Sequence, residues 1–239
     1  MSEKGIAIIT GASKGIGYCV AKGLAIDGYK TILIARDAGR LECVSKEIAK
    51  SVSDELKPEY LVLDIAKHKK VSESVRYLQS KYNTVSILVN NAGMWMDGTL
   101  EGSEEDFKNL LDINLISPFV FLREVGGQMK KNGKGYIFNI SSRAGKYGFP
   151  GGGLYSASKF GLIGLSESLY REMAEHGVKV TSICPGWVNT DMAQEAKTPL
   201  KEHEMIQPMD ILSSIRYILS LSESACIREI VLECSRSIL

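Results

Sequence analysis

The 239-residue sequence predicts an α/β fold in three layers, with a doubly wound, seven-stranded parallel sheet and helices on both faces. Short apolar runs alternate along the chain with segments whose apolar residues recur at helical spacing, which is the pattern of repeated β-α units. The runs are almost wholly apolar, as in strands that are buried on both faces of a parallel sheet. No linker, repeat or low-complexity stretch interrupts this pattern, so residues 1–239 are predicted to form one domain.

The individual strands and helices follow from the same two patterns. Strands are predicted at 5–10, 31–35, 60–63, 86–90, 135–140, 178–183 and 230–232. Helices are predicted at 15–27, 41–52, 71–82, 103–131, 155–176 and 210–221. Pro118 is a candidate point of interruption in the longest helix, because proline lacks the N–H that a helix interior uses. The polar stretch that follows Pro185-Gly186 and ends near Pro208 is predicted to be irregular.

Composition disfavours several classes of function. Lysine and arginine number 29 and aspartate and glutamate 28, so the charge of +1 gives no electrostatic reason to expect a nucleic-acid or membrane partner. The five cysteines include no CxxC pair, which predicts free thiols in a reducing compartment. No metal-ligand spacing of histidines and no GxSxG elbow is present, so neither a metal site nor a serine hydrolase is favoured. Without a leader or a run of about 18 apolar residues, a cytoplasmic location is expected.

A glycine-rich turn joins the first predicted strand to the first predicted helix. It comprises residues 10–17, Thr-Gly-Ala-Ser-Lys-Gly-Ile-Gly. Glycines let backbone approach a phosphate, and the helix N-terminus behind them offers free N–H groups and a positive dipole end. The same sequence also fits an ordinary glycine-rich turn. Its position between the first strand and the first helix favours nucleotide binding.

The end of the second predicted strand bears on cofactor choice. An NAD-preferring fold usually has a carboxylate there for the ribose hydroxyls, but this chain has Ala35 followed by Arg36. Arg36 and Lys14 would both lie near the adenosine ribose, and two cations suit a 2′-phosphate, so NADP(H) is favoured. Asp37 is either a helix cap or a displaced ribose ligand, and the second possibility leaves NAD(H) open.

Tyr155 and Lys159 stand four residues apart at the start of a predicted helix, which places both side chains on one face. A neighbouring ammonium favours the phenolate, so the lysine is expected to lower the tyrosine pKa from its usual value near ~10. Such a phenol is a plausible proton donor or acceptor near neutral pH. Taken alone, the spacing also fits a tyrosine and a lysine on a helix surface.

Polar or glycine-rich clusters also follow three later strands of the predicted sheet. They are Asn90-Asn91-Ala92-Gly93, Ser141-Ser142 and Pro185-Gly186. Ligands of open parallel sheets bind outside the carboxyl ends of the strands. The clusters, the glycine-rich turn and the Tyr-Lys pair therefore predict one ligand site at this edge.

With these motifs in order, the chain resembles the classical short-chain dehydrogenases/reductases over nearly its whole length. The family's TGxxxGxG, NNAG, YxxxK and PG motifs are met by residues 10–17, 90–93, 155–159 and 185–186. The resemblance implies a Rossmann fold and an NAD(P)(H)-dependent oxidoreductase that acts on CH–OH groups.

The resemblance also implies four catalytic residues. Tyr155 would give its proton to a carbonyl oxygen as hydride arrives from the nicotinamide. Ser142 would hydrogen-bond that oxygen and stabilise its developing charge. Lys159 would hold the nicotinamide ribose hydroxyls and lower the tyrosine pKa. Asn114, in the sequence Asp-Ile-Asn-Leu, would help to hold a water that links Lys159 to solvent.

Cofactor and substrate residues are implied in the same way. Thr190 would bind the carboxamide, and Asp64 would meet the adenine amine. The cofactor set is Gly11, Ser13, Lys14, Gly15, Ile16, Gly17, Arg36, Asp64, Ile65, Asn91, Ala92, Gly93, Tyr155, Lys159, Pro185, Gly186, Val188 and Thr190. The substrate set, from loops after the fourth to sixth strands, is Trp95, Tyr147, Phe149, Trp187 and Met192. These side chains also fit ordinary packing beneath loops. Residues 187–207 are a candidate lid.

The expected function is hydride transfer between NADPH and a ketone, an aldehyde or a secondary alcohol. A 3-oxoacyl-(acyl-carrier-protein) reductase is one alternative, although the ending at 228–236 lacks the tail that many such reductases carry. A catalytically quiet NADP-binding sensor or scaffold is the alternative from a different class. The family resemblance implies a homodimer or homotetramer, formed through the apolar helices at 110–125 and 162–173.

Overall fold

The computed structural model describes residues 4–236, so both ends of the predicted domain lie outside the described residues. Its core is a sheet of parallel strands, namely β1 (Ile6–Thr10), β2 (Lys30–Ala35), β3 (Glu59–Val62), β4 (Val85–Asn90), β5 (Gly135–Ile140), β6 (Val178–Pro185) and β7 (Glu229–Leu232). The strand order is β3-β2-β1-β4-β5-β6-β7, so the chain reverses direction across the sheet between β1 and β4. The predicted doubly wound, seven-stranded parallel sheet is confirmed.

Helices cover both faces of this sheet. They are α1 (Gly15–Ile26), α2 (Ala38–Ala49), α3 (His68–Lys81), α4 (Glu104–Leu111), α5 (Ser117–Phe121), α6 (Gly127–Asn132), α7 (Gly153–Met173), α8 (Asp191–Glu195) and α9 (Pro208–Ser220). One apolar core lies between the sheet and α1, α2 and α9, and the other lies between the sheet and α3, α5, α6 and α7. None of these helices is long and apolar enough to cross a membrane.

The long helix predicted at 103–131 is helical throughout, but its hydrogen bonding changes twice. Two π turns, Asp112–Ile116 and Leu122–Gly126, join α4, α5 and α6. Pro118 lies in the first turn of α5, just after the first π turn, and the residue before it keeps right-handed helical angles. Pro118 lacks the N–H that a continuous helix would use at this position, and the π turn just before it lies where the regular hydrogen-bond ladder is interrupted.

The segment between β6 and α9 is more ordered than predicted. It contains α8, and its two ends are joined, because the Asn189 N–H donates to the Ile206 carbonyl at 2.8 Å and the Ile206 N–H donates to the Trp187 carbonyl at 3.0 Å. Val188 and Ile206 are both buried at this junction. The candidate lid at 187–207 is therefore a loop closed at its base.

A buried chain of polar side chains ties β4 and β5 to α7. Asn90 donates through Nδ2 to Asn139 Oδ1 at 2.9 Å, Asn139 donates through Nδ2 to Ser166 Oγ at 2.8 Å, and Ser166 donates to the Leu162 carbonyl at 2.6 Å. Asn90 and Asn139 are also register partners in the sheet. Asn90, one of the predicted strand-end residues, thus has a structural contact inside the fold.

We expect Asn139→Ala to lower the free energy of unfolding by about 1–3 kcal/mol, because it leaves buried polar atoms of Asn90 and Ser166 without their partner. Denaturant titration of both proteins measures the difference. Asn132→Ala, which removes only exposed hydrogen bonds near Asn83, is the matched control and should change stability by less. Equal midpoints for Asn139→Ala and the wild type would contradict the prediction.

Candidate active site

A cavity of about 1140 Å³ opens at the carboxyl ends of the strands, on both sides of the point where the chain reverses direction. Every residue of the predicted cofactor and substrate sets lines it except Gly17. Ser142, Tyr155 and Lys159 also line it, whereas Asn114 is buried behind its wall. The sheet therefore brings together nearly all the side chains that the sequence placed at this edge.

The glycine-rich turn is shaped for close approach to a ligand. Gly11 and Gly15 have φ angles of +66° and +55°, which favour glycine. A Cβ on Gly17 would lie 2.3 Å from the Gly11 carbonyl oxygen, so Gly17 allows the turn to fold against α1 and does not face the cavity. Lys14 precedes α1 without a side-chain cap, which leaves the N–H groups of its first turn open to a phosphate.

The end of the cavity beside β2 is rich in cations. Arg36 is exposed there, and Lys14 Nζ lies 2.8 Å from the carboxylate of Asp191 on α8. Asp37 caps α2 by accepting from the Arg40 N–H at 2.9 Å, and its carboxylate is 3.4 Å from Arg40 Nε. The cap explains why α2 begins before the predicted position. Arg40 is not among the residues predicted for this site, although its spacing from a capping Asp37 is a signal in the sequence.

Tyr155, Lys159 and Ser142 meet at the opposite side of the reversal point. Tyr155 and Lys159 lie near the start of α7 and are 7% and 4% exposed. Lys159 Nζ donates to the Ile140 carbonyl at 3.2 Å and lies 5.7 Å from the centroid of the Tyr155 ring. The Ser142 hydroxyl hydrogen-bonds the Tyr155 side chain and accepts from the Ala144 N–H at 3.1 Å.

The pKa values differ from the sequence expectation. Burial raises the pKa of Tyr155 to about 12, against the lowering effect of its hydrogen bond to Ser142. Burial also lowers the pKa of Lys159 to about 8, because the ammonium is the charged form that burial disfavours. The tyrosine pKa therefore lies above its ordinary value in the protein alone, and the expectation of a lowered pKa is wrong because burial outweighs the effects that favour the phenolate. Burial is the largest influence on the pKa of both groups. The ammonium of Lys159 lies over the ring of Tyr155.

Asn114 lies in the first π turn of the long helix and is 1% exposed. Its Oδ1 accepts from the Met94 N–H at 2.9 Å, and its Nδ2 donates to the Met94 carbonyl at 3.0 Å and to Ser158 Oγ at 3.1 Å. Both ends of its amide therefore hold the loop after β4 against α7. Its role in holding a water remains a prediction.

Aromatic side chains line the cavity around the phenol. Trp95, Phe149 and Trp187 come from the loops after β4, β5 and β6, and Trp95 packs against Tyr155 with ring centroids 4.7 Å apart. Tyr147 is 66% exposed at the cavity wall, and Met192 follows Asp191 on α8. All five predicted substrate residues therefore face one cavity.

The donor set and the shape of this cavity fit a dinucleotide. The open N–H groups before α1 suit a pyrophosphate, and the cations beside β2 suit a phosphorylated ribose. Among the described residues, the buried Lys159 ammonium donates to a single carbonyl, so it retains donors for ribose hydroxyls. A Cβ on Gly93 would lie 3.2 Å from Asn114 Oδ1 and 3.5 Å from Lys159 Nζ, so the backbone of the NNAG motif passes close to both side chains.

The chain belongs to the short-chain dehydrogenase/reductase family, as its motifs indicated. The model of the family described as short chain dehydrogenase matches residues 5–201. Among curated proteins, the chain is 39% identical over 200 residues to the "Granaticin polyketide synthase putative ketoacyl reductase 1" of Streptomyces violaceoruber, a match that covers 82% of this chain and 72% of that protein.

Solved structures show the same relationship. A betaketoacyl-[ACP] reductase (FabG) from Bacteroides thetaiotaomicron is 48% identical, with 99% of each chain covered and a TM-score of 0.88. A metagenomic short-chain oxidoreductase in complex with NADP is 28% identical, with 98% of each chain covered and a TM-score of 0.84. The protein is therefore an oxidoreductase of this family.

Proposed function

We propose that this protein transfers hydride between NADPH and a ketone or aldehyde, or catalyses the reverse reaction on a secondary alcohol. The observation that carries the proposal is the meeting of Ser142, Tyr155 and Lys159 at one cavity, beside a glycine-rich turn and a cationic wall. Two related structures, the metagenomic oxidoreductase and an alcohol dehydrogenase of Thermococcus sibiricus, are described as complexes with NADP and with 5-hydroxy-NADP.

A bound nicotinamide supplies or accepts the hydride, and the side chains handle the oxygen and its proton. The Tyr155 hydroxyl donates its proton to the substrate oxygen, while the Ser142 hydroxyl hydrogen-bonds the same oxygen as negative charge develops. Lys159 binds the ribose hydroxyls, and its positive charge stabilises the phenolate that forms. Asn114 positions the loop after β4 through its hydrogen bonds to the Met94 backbone. It is also a candidate for holding the water that resupplies the proton.

Tyr155 is in the protonation state that reduction of a carbonyl requires. A phenol with a pKa of about 12 stays protonated at neutral pH, and the protonated form is the one that can donate to a carbonyl oxygen. Oxidation of an alcohol requires the phenolate, which burial disfavours. The ammonium of Lys159 and a bound cofactor would both make the phenolate more accessible during turnover.

Three cations support NADP(H) over NAD(H). Lys14, Arg36 and Arg40 all line the cavity end beside β2, where the adenosine ribose would lie. Arginine binds phosphate through charge-assisted and often bidentate hydrogen bonds. Asp37 is engaged as the cap of α2, which reduces its availability as a ribose ligand.

A 3-oxoacyl-(acyl-carrier-protein) reductase is the second candidate. It is favoured by the 48% identity to the FabG of Bacteroides thetaiotaomicron over 99% of each chain, and the doubt that the sequence raised from the ending at 228–236 carries less weight beside that match. A quiet NADP-binding sensor would not need the Ser142–Tyr155 hydrogen bond at the cavity. Assaying NADPH oxidation with ketones, aldehydes and acyl thioesters separates the three functions, because a sensor would oxidise NADPH with none of them.

We also propose that the single-domain chain forms a homodimer or homotetramer. The long helix and α7 present large apolar side chains to solvent, with Ile116, Phe119 and Phe160 exposed by 38%, 41% and 46%. Burying these side chains against a second copy would remove them from water. Size-exclusion chromatography with light scattering tests this state.

We expect Tyr155→Phe to remove nearly all turnover while NADPH still binds, because the phenyl ring keeps its packing but has no proton to give. Steady-state kinetics and a fluorescence titration with NADPH measure the two properties separately. Ser80→Ala, which removes an exposed hydroxyl on α3, is the control and should behave like the wild type. Wild-type turnover by Tyr155→Phe would rule out the proposed proton donor.

We expect the wild type to prefer NADPH over NADH by about one to two decades, because a hydrogen bond to a charged phosphate contributes roughly 1.5–3 kcal/mol. The double change Ala35→Asp with Arg36→Ala should shift this preference toward NADH, since it removes a cation and adds repulsion. The measurement is the ratio of kcat/KM for the two cofactors in both proteins. A wild-type ratio near unity, or one that favours NADH, would contradict the assignment.

We expect Asp191→Asn to bind NADPH up to about fivefold more tightly, because it releases Lys14 from an exposed ion pair of the usual small strength. The dissociation constants of NADPH and NADH are measured together, and only NADPH binding should change. Glu195→Gln removes a carboxylate 4.0 Å from Lys14 Nζ and should have a smaller effect. A gain of equal size for NADH would show that the ion pair does not compete with a phosphate.

A further inference from the structure

Trp95 is the centre of an aromatic cluster, which we define as Trp95, Phe149, Trp187 and Tyr155. Its ring lies parallel to Phe149, with centroids 5.9 Å apart and an interplanar angle of 9°. Its centroid is 4.7 Å from that of Tyr155 and 6.2 Å from that of Trp187, and both of these pairs are tilted. Trp95 therefore contacts the proposed proton donor directly, and it connects that residue to aromatic side chains from two further loops.

A glycine and two backbone hydrogen bonds fix the positions of the loops that carry Trp95 and Phe149. A Cβ on Gly152 would lie 2.0 Å from the Phe149 ring, so only glycine allows that ring to occupy its position. The loops after β4 and β5 are also joined, because the Gly98 N–H donates to the Gly151 carbonyl at 2.7 Å and the Leu154 N–H donates to the Gly98 carbonyl at 3.2 Å. The parallel arrangement of Trp95 and Phe149 is therefore held by the loop structure.

The indole of Trp95 is held by packing, against aromatic rings and against a small buried cluster that includes Leu110 and Ala144. Its Nε1 is buried and donates to no described residue. Phe149 remains 40% exposed, so part of an apolar ring still faces the cavity. On the other side, Lys159 lies over the Tyr155 ring. A carbonyl that reaches the phenol must therefore place its substituent among aromatic walls, where a flat ring can stack.

We propose that the preferred substrate is a ketone with an aromatic or conjugated ring next to the carbonyl, and that Trp95 selects it. This inference rests on the proposed carbonyl reduction and names the substrate class for the same cavity. An aliphatic chain gains from burial against any apolar wall, whereas a flat ring also gains from stacking on the exposed part of Phe149 and from edge contacts with Trp95. The cluster therefore distinguishes a flat, aromatic substituent on the carbonyl from an aliphatic one of similar size.

The test compares two ketones of nearly equal size, acetophenone and cyclohexyl methyl ketone, with NADPH in excess. The wild type should show the larger kcat/KM for acetophenone, and Trp95→Leu should reduce the ratio of the two values by about 3- to 10-fold, the range expected for one aromatic pair. Trp95→Phe should retain most of the ratio. Tyr77→Leu, which removes an aromatic ring 58% exposed on α3, should leave it unchanged.

Tryptophan fluorescence gives a readout independent of turnover. The chain has two tryptophans, Trp95 and Trp187, and both belong to the cluster. Acetophenone should quench this emission at lower concentration than a model indole in free solution requires, and Phe149→Leu should weaken the quenching. Phe149→Leu also tests the cluster if Trp95→Leu does not fold.

The possible outcomes distinguish a failure of the aromatic substrate class from a failure of the proposed carbonyl reduction. Reduction of cyclohexyl methyl ketone or an acyl thioester, without a preference for acetophenone, overturns the aromatic substrate class and leaves carbonyl reduction intact. A wild-type preference that Trp95→Leu does not change overturns the role of Trp95. Failure to oxidise NADPH with any carbonyl compound overturns the proposed function and this inference with it.

Discussion

The burial of Lys159 is the constraint around which the site is arranged. An ammonium that is 4% exposed must find acceptors, and the described residues offer the Ile140 carbonyl at the end of β5. The helix that carries Lys159 is held against the sheet, because Ser141 Oγ donates to the Lys159 carbonyl at 3.2 Å. A Cβ on Gly145 would lie 2.8 Å from that carbonyl oxygen, so glycine allows the turn after Ser142 to pass this close to α7. Lys159, the end of β5 and the proposed proton donor Tyr155 are thus positioned together.

Much of this arrangement was predictable because parallel sheets follow simple rules. Buried strands are apolar throughout, and their carboxyl ends converge on one edge, so the motifs after β1, β4, β5 and β6 had to meet. The strands lie within two residues of their predicted ends, since a run of buried apolar residues has clear limits. The structured loop at 187–207 was missed because its order comes from backbone hydrogen bonds at its base, which leave no periodic pattern in the sequence.

Other features depend on distances that a sequence does not contain. Asn114 was identified through its motif, but the π turn that points its amide at Met94 is a change of backbone hydrogen bonding. The tyrosine pKa was predicted in the wrong direction because residue spacing shows which charges are neighbours but not how deeply they are buried. The pairing of Asp191 with Lys14 is not visible in the sequence, because 177 residues separate the two and only the fold brings them together.

The division of the cavity into a cationic part and an aromatic part follows from the sheet order. Arg36 and Arg40 follow β2 on one side of β1, at the proposed cofactor end, whereas β4, β5 and β6 lie on the other side and are followed by the aromatic loops of the proposed substrate end. The segment at 187–207 spans both parts, because Trp187 belongs to the aromatic cluster and Asp191 pairs with Lys14. Its base is fixed by the hydrogen bonds between 187–189 and Ile206. If the phosphate of the proposed cofactor displaces Asp191 from Lys14, it acts on an anchored loop that also carries Trp187 of the aromatic cluster.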